Sequence, residues 1–260
     1  MEHSARHTVI FTVVLCVVFS VLVSAVAVSL NDRQVENQRL DKIKNVLGVA
    51  GLKETGESLS REELTTRFES GLEARVVDLE TGEYVEGIDA LSYDQKKASK
   101  NPETSREAPT NRAKVRRIPN HAVVYVIKDG DKEAGLVLPI QGSGLWSTLY
   151  GFLALDSDAR TVRGITFYSH GETPGLGGEV DNPRWKSLWP GRLAFDDAWQ
   201  PALKVKKGQA GPADADPYQV DGLSGATITS NGVTNMIQFW LGESGFGPYL
   251  ARQRTEGAQG

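Results

Sequence analysis

The chain has 260 residues, 40% of them hydrophobic and 24% charged, with a formal net charge of −4 and a pI near 5.7. That balance lacks the basic surplus with which nucleic-acid-binding chains neutralise phosphates, so no nucleic-acid partner is expected. A single cysteine, Cys16, excludes an internal disulfide and any multi-cysteine metal site.

After a short tail, residues 1–8, an uncharged stretch of 22 residues runs from Val9 to Leu30. At about 1.5 Å per residue it can cross a hydrocarbon core of about 30 Å. A cleaved signal peptide is the alternative, because Ala25-Val26-Ala27 offers small residues. Apolar cores of signal peptides are shorter, about 7–15 residues, so residues 9–30 read as one retained transmembrane helix. Cys16 follows Val14 and Leu15 without the small residues of a lipidation site, and reads as a lipid-facing thiol. Nothing within the span gathers the several oxygens that a sodium site needs. Arg6 precedes the span, whereas Arg33, Arg39, Lys42 and Lys44 follow it. Read literally, the positive-inside rule puts the large domain in the cytoplasm, but charge alone does not settle the side.

Residues 31–120 read as a membrane-proximal region. Asn31 to Leu52 is predicted as a helix with Leu40, Ile43, Leu47 and Ala50 on one stripe and Gly51 as its stop. Ser60-Arg61-Glu62-Glu63 is a capping box opening a short polar helix towards Phe68. Ala74 to Leu79 reads as a strand ended by Thr81-Gly82. Ser92 to Asn120 is polar and basic, with Pro102, Pro109 and Pro119 and little apolar periodicity, and reads as a solvated connection.

A core domain is expected over residues 121–250, followed by a tail at 251–260. His121 to Ile127, Leu136 to Ile140, Tyr150 to Leu155 and Val162 to Tyr168 read as strands. A glycine-rich stretch lies near Gly175, and a polar loop runs from Gly208 to Pro217. The last helix is marked by Val233, Met236, Ile237, Trp240 and Leu241, with Gly242 past its end. The fold class is thus α+β, a mainly antiparallel sheet with flanking helices, preceded by one transmembrane helix.

The chemistry lies in Asp221-Gly222-Leu223-Ser224-Gly225-Ala226-Thr227-Ile228-Thr229-Ser230, just before that helix. Small residues let a bulky group approach the backbone, and unpaired N–H groups at a helix start favour a phosphate. The alternative is that Thr229 or Ser230 simply caps the helix.

The segment Asp221 to Thr227 resembles the motif read by the periplasmic flavin transferase, which joins the phosphate of FMN to the hydroxyl of the last threonine. Tyr168 to Glu179, containing Gly175-Leu176-Gly177-Gly178, resembles a flavin-side loop, and Gly144 to Gly151 resembles the stretch before a core strand. Gln34 to Leu52, Asp181 to Trp185 and Val220 to Leu241 agree as well, so the likeness spans nearly the whole chain. Agreement is least around Lys96 to Pro109. Together these blocks resemble the family of flavin-carrying C subunits of sodium-translocating NADH:quinone oxidoreductases.

That resemblance implies a chain carrying covalent FMN on Thr227. Asp221, Ser224, Gly225 and Ala226 form the recognition turn; Glu172, Thr173, Gly175, Leu176 and Gly177 line the flavin loop; Trp146 stands near the ring or packs as an ordinary aromatic. His170 is left outside the site, and no catalytic or metal-binding residue is expected. The implied role is electron carriage within a membrane translocase that oxidises NADH, reduces ubiquinone and exports Na+, with no catalysis by the isolated chain. Implied partners are five other subunits, the flavin transferase during maturation, and the bacterial inner membrane. The resemblance puts the FMN domain on the periplasmic side, against the charge count. Two alternatives stand beside it: the flavin subunit of the ion-translocating ferredoxin:NAD oxidoreductase, and a non-catalytic extracytoplasmic flavin-binding protein.

Overall fold

The computed structural model describes residues 5–54, 56–130 and 132–257. Contacts divide the chain into two units, residues 1–42 and residues 43–260. The first unit is helical. Ala5–Asn31 is long and apolar enough to cross a membrane, with a mean hydropathy of 3.0. The span and the helix expected after it are one element, α1 (Ala5–Val49). Nothing between Leu30 and Gly48 breaks it, because that stretch holds neither proline nor glycine. Gly51 ends it with a φ of 76°, and the Leu52 N–H reaches back to the Leu47 carbonyl at 2.9 Å.

In the second unit, α2 (Arg61–Gly71) opens on the expected capping box. The Ser60 hydroxyl accepts from the Glu63 N–H, and the Glu63 carboxylate accepts from the Ser60 N–H. The chain passes directly into β1 (Leu72–Asp78). The strands β4 (His121–Asp129), β5 (Lys132–Ser143), β6 (Thr148–Asp156) and β7 (Val162–Ser169) complete a five-stranded antiparallel sheet in the order β1-β4-β5-β6-β7.

Both faces of this sheet are covered, which is why its central strands read as nearly continuous apolar runs. On β4, Val123, Tyr125 and Ile127 join one core with Ile43, Leu47, Leu64 and Phe68 from the end of α1 and from α2. Ala122, Val124 and Val126 point the other way, as the two-residue period of a strand requires. They meet the second core, which includes Val233, Met236, Ile237 and Trp240 of α5 (Thr227–Leu241).

The polar segment between β1 and β4 is folded, not a solvated connection. It contains α3 (Gln95–Ala98), a 3-10 turn at Pro102–Thr104, and the antiparallel pair β2 (Ser105–Glu107) and β3 (Arg117–Pro119). Side-chain bonds to backbone replace the missing apolar pattern there: Asp94, Asn101 and Asn111 each accept from a nearby N–H. After β7 come α4 (Pro183–Lys186) and a parallel bridge between β8 (Lys204–Val205) and β9 (Gln219–Val220), which closes the polar loop at its base. The helix expected to be last is followed by another, α6 (Gly247–Gly257), whose Tyr249 and Leu250 are buried. Its apolar residues are few and its start follows glycines, so periodicity did not reveal it.

The helix α5 sits tightly on the end of β5. The Trp240 indole donates to the Gln141 carbonyl at 2.7 Å. A Cβ on Gly232 would collide with the Ser143 carbonyl and approach Gly144 Cα to 3.3 Å. By contrast, Gly48 has open space around it inside α1. Gly232→Ala should therefore destabilise the protein by about 1–3 kcal/mol, whereas Gly48→Ala should be neutral or stabilising by about 0.5–1 kcal/mol. Thermal unfolding in detergent, followed by tryptophan fluorescence, reads both; equal shifts would contradict the tight seat of α5.

Candidate functional site

Three separated stretches meet at one carboxylate. Glu172 is buried, with 5% of its surface exposed. Its oxygens accept hydrogen bonds from the N–H groups of Leu145 at 3.1 Å, Trp146 at 2.9 Å and Ser147 at 3.3 Å. The Thr229 hydroxyl donates to it at 2.5 Å. The turn between β5 and β6, the glycine-rich loop after β7 and the first turn of α5 are thereby tied together.

The glycines are there because the carboxylate is. A Cβ on Gly144 would stand 2.5 Å from Glu172 Oε1, and one on Gly177 would stand 2.6 Å from Thr229 Oγ1. Burial pushes the Glu172 pKa upward, but the Thr229 hydroxyl and the three N–H donors outweigh it, so the carboxyl lies below its ordinary value. Next to it, the Glu172 N–H donates to His170 Nδ1 at 3.2 Å, and His170 Nε2 lies 2.8 Å from Asp181.

Thr229 and Ser230 do not cap the helix. Both are buried inside its first turn, where Ser230 Oγ accepts from the Leu223 N–H at 3.1 Å. The N-cap is Ala226, which has no capping side chain. Gly225 takes a φ of 69° just before it, which turns the chain into the helix. The first intrahelical bond runs from the Ser230 N–H to the Ala226 carbonyl. The N–H groups of Thr227, Ile228 and Thr229 precede it, so no acceptor within the helix reaches them. Thr227 is the first residue of α5 and is exposed, and among the described residues none hydrogen-bonds its hydroxyl.

The three stretches joined at Glu172 each display exposed apolar side chains. Leu145 is 47%, Trp146 71%, Leu176 45% and Ile228 57% exposed. Leu176 lies against Gly225, 3.0 Å from where a Cβ would be. Trp146 is therefore not a packed aromatic. Ser224, Thr173 and Gly175 are exposed at this surface, while Ala226 and Gly177 are buried beneath it. Asp221 stands back: its carboxylate accepts from the Ala210 N–H at 2.9 Å, and its carbonyl accepts from the Trp185 indole at 2.8 Å. It holds the turn in place rather than facing the apolar surface.

This arrangement suits a flat, phosphate-bearing aromatic ligand, and the comparisons agree. Residues 144–242 match the FMN-binding domain family. Over 256 residues the chain is 47% identical to the C subunit of the Na(+)-translocating NADH-quinone reductase of Vibrio anguillarum, with 98% of this chain and 97% of that one covered. The corresponding C subunit of Pseudomonas aeruginosa is 46% identical, with 97% of each chain covered. The chain belongs to the family of Na+-translocating NADH-quinone reductase C subunits. Among solved structures it is similar to Shewanella oneidensis NqrC, with a TM-score of 0.78 and 33% identity over 85% of this chain and 99% of that one. The structure of the C subunit from Parabacteroides distasonis aligns with a TM-score of 0.66 and 31% identity, covering 85% of this chain and 96% of that one.

What sequence reasoning missed is the Glu172–Thr229 pair. The two residues are 57 positions apart, and no local spacing links them. The depressed pKa of Glu172 gives the pair a pH signature. Its stabilising contribution is complete above the ordinary glutamate value of about 4.3 and is lost as pH falls through the lower folded value. Glu172→Gln should therefore lower the unfolding temperature at neutral pH, and its gap from wild type should narrow below about pH 4. Thermal unfolding across that range checks it; a gap that stays constant would contradict the assignment.

Proposed function

We propose that this chain is the membrane-anchored electron carrier of a sodium-translocating NADH:quinone reductase, with FMN phosphoester-linked to Thr227. The observation that carries the proposal is the exposed Thr227 at an uncapped helix start, with Leu145, Trp146, Leu176 and Ile228 exposed on the stretches that meet at Glu172. Free N–H groups and the positive end of the helix dipole favour the phosphate there. The four apolar side chains supply a surface for an isoalloxazine ring, with Trp146 as the aromatic face. Ser224, Gly225 and Ala226 keep the turn narrow enough for the attaching enzyme, and Gly175 and Gly177 keep the facing loop thin. Attachment makes the bond from Thr227 Oγ to the FMN phosphorus, with AMP leaving from FAD.

Bound FMN supplies the oxidation and reduction, and the protein supplies tethering, position and electrostatics. Thr227 keeps the cofactor from diffusing away. Glu172 fixes Leu145 and Trp146 relative to α5 through its backbone bonds. The rival assignment to a ferredoxin:NAD oxidoreductase is disfavoured by full-length similarity to the quinone reductase subunits.

Thr227→Val keeps the β-branched shape and removes the oxygen, so it should abolish flavin fluorescence of the denatured band in a gel. Thr229→Val should retain that fluorescence, although loss of its bond to Glu172 costs about 1–3 kcal/mol. Persistent labelling of the first variant, or loss in the second despite folding, would defeat the attachment site.

For topology, the proposal is one anchor within Ala5–Asn31, with the flavin domain in the periplasm, as the family's flavin attachment implies. Arg33, Arg39, Lys42 and Lys44 argue the other way. Lys207 lies exposed in the loop after β8. A Lys207→Cys chain in intact cells should react with a membrane-impermeant maleimide. Labelling that requires permeabilised cells would instead vindicate the charge pattern.

A further inference from the structure

Residues 170–182 join β7 to α4, and the middle of that connection packs on the start of α5. Leu176 lies against Gly225, 3.0 Å from where a Cβ would be, and a Cβ on Gly177 would stand 2.6 Å from Thr229 Oγ1. The connection is bent at Thr173, whose carbonyl accepts from the N–H groups of Leu176 at 3.1 Å and Gly178 at 2.9 Å. Gly175 makes the turn with a φ of 77°. These bonds shape the bend, but none of them fixes its two ends to each other.

His170 does that with both ring nitrogens. Its Nδ1 accepts from the Glu172 N–H at 3.2 Å, two residues on, as an Asn or Asp oxygen does in a turn. A ring nitrogen that accepts carries no proton, so the neutral imidazole has its proton on Nε2. Nε2 lies 2.8 Å from Asp181 Oδ2, eleven residues away at the end of the 3-10 turn Gly177–Asp181. The imidazole is mostly enclosed, with 13% of the side chain exposed. Asp181 is tied to the sheet in turn: its Oδ1 lies 3.4 Å from Lys186 Nζ of α4, and that ammonium donates to the Thr166 hydroxyl of β7 at 3.2 Å. Beside the ring, the Gly171 N–H donates to the Ser147 hydroxyl at 2.6 Å, in the turn whose N–H groups hold the Glu172 carboxylate.

We propose that His170 is a positioning residue for the flavin. With Asp181 it clasps the two ends of the bend, and so holds Glu172, Leu176 and Gly177 against the helix start where the cofactor is tethered. The proposal rests on the flavin assignment. His170 acts through Glu172 and the bend, and touches neither Thr227 nor its phosphate. With the clasp cut, the bend keeps its own Thr173 bonds but is free to move as a unit between Gly171 and Asp181. Attachment at Thr227 is then unaffected, and what changes is the order of the surroundings that orient the ring.

The test uses the full-length chain in detergent with its flavin attached. Amide hydrogen exchange over residues 171–178, read by mass spectrometry, should speed about fivefold in His170→Ala, as expected for the loss of one hydrogen bond. The visible circular dichroism of the flavin in the folded chain should fall several-fold, while fluorescence of the denatured band in a gel stays at the wild-type level. Asp181→Ala should follow His170→Ala in both readings, and the double variant should be no worse than either, because the two residues share one contact. His170→Asn is the milder change, and it decides on the same readings if His170→Ala does not fold. It keeps an acceptor for the Glu172 N–H but is too short for Asp181, so it should behave as Asp181→Ala does. As a control, Asp158→Ala removes a comparable turn in which one carboxylate oxygen accepts from the N–H groups of Arg160 and Thr161, and it should leave the flavin dichroism unchanged. A wild-type chain without flavin fluorescence would sink the flavin assignment, and the exchange rates would still decide the clasp. Unchanged exchange and dichroism in His170→Ala would overturn the proposal. So would effects of His170→Ala and Asp181→Ala that simply add, or an equal loss of dichroism in Asp158→Ala.

Discussion

A buried carboxylate must be saturated with donors or it is expelled, and Glu172 is saturated by three N–H groups and one hydroxyl. The rest of the site follows from that requirement. The turn at Gly144 to Ser147 must fold so that successive N–H groups converge on the carboxylate. Gly144 and Gly177 must lack side chains, because any Cβ there would strike Glu172 or Thr229. Thr229 must face inward, which rotates Thr227, two residues earlier, out to the surface. The exposed threonine and its apolar surroundings are thus consequences of a knot buried beneath them.

The sheet gives that knot a rigid base. Its apolar residues are divided between two cores, one beneath the end of α1 and α2 and one beneath α5. Trp240 and Gly232 seat α5 on β5, so the start of the helix is fixed relative to the turn that carries Trp146. A flavin held at Thr227, as proposed, would have little freedom to wander on such a base. The helix start contributes too: with Ala226 at the N-cap, its donors are not spent on a side-chain cap.

Much of this fold was legible wherever apolar residues form runs or stripes. β4 to β7 fell on nearly continuous apolar runs and α5 on the helical stripe, and the Ser60–Glu63 capping box is present as read. Legibility failed where polar groups do the folding. Asn111 and Arg117 organise the segment before β4 through bonds to backbone, and such bonds leave no periodic trace. The continuity of α1 was hidden because the change from apolar to charged residues at Asn31 looks like a boundary, although nothing there stops a helix. α6 is short and mostly polar. In the site itself, the motif at Asp221 to Thr227 was recognised through family resemblance, whereas physics alone favoured a capping role for Thr229 or Ser230. That role fails because both hydroxyls are turned inward, Thr229 to Glu172 and Ser230 to the Leu223 N–H. Glu172 was singled out as a polar contact for the ligand, but its partners lie 25 or more positions away and are visible only after folding.

Intact mass spectrometry of the chain extracted from membranes, followed by peptide mapping, tests covalent flavin carriage most directly. The expected result is a chain heavier by one FMN less one water, with the added mass on Thr227. An unmodified chain, or FMN mapped to Ser224 or Thr229, would contradict it.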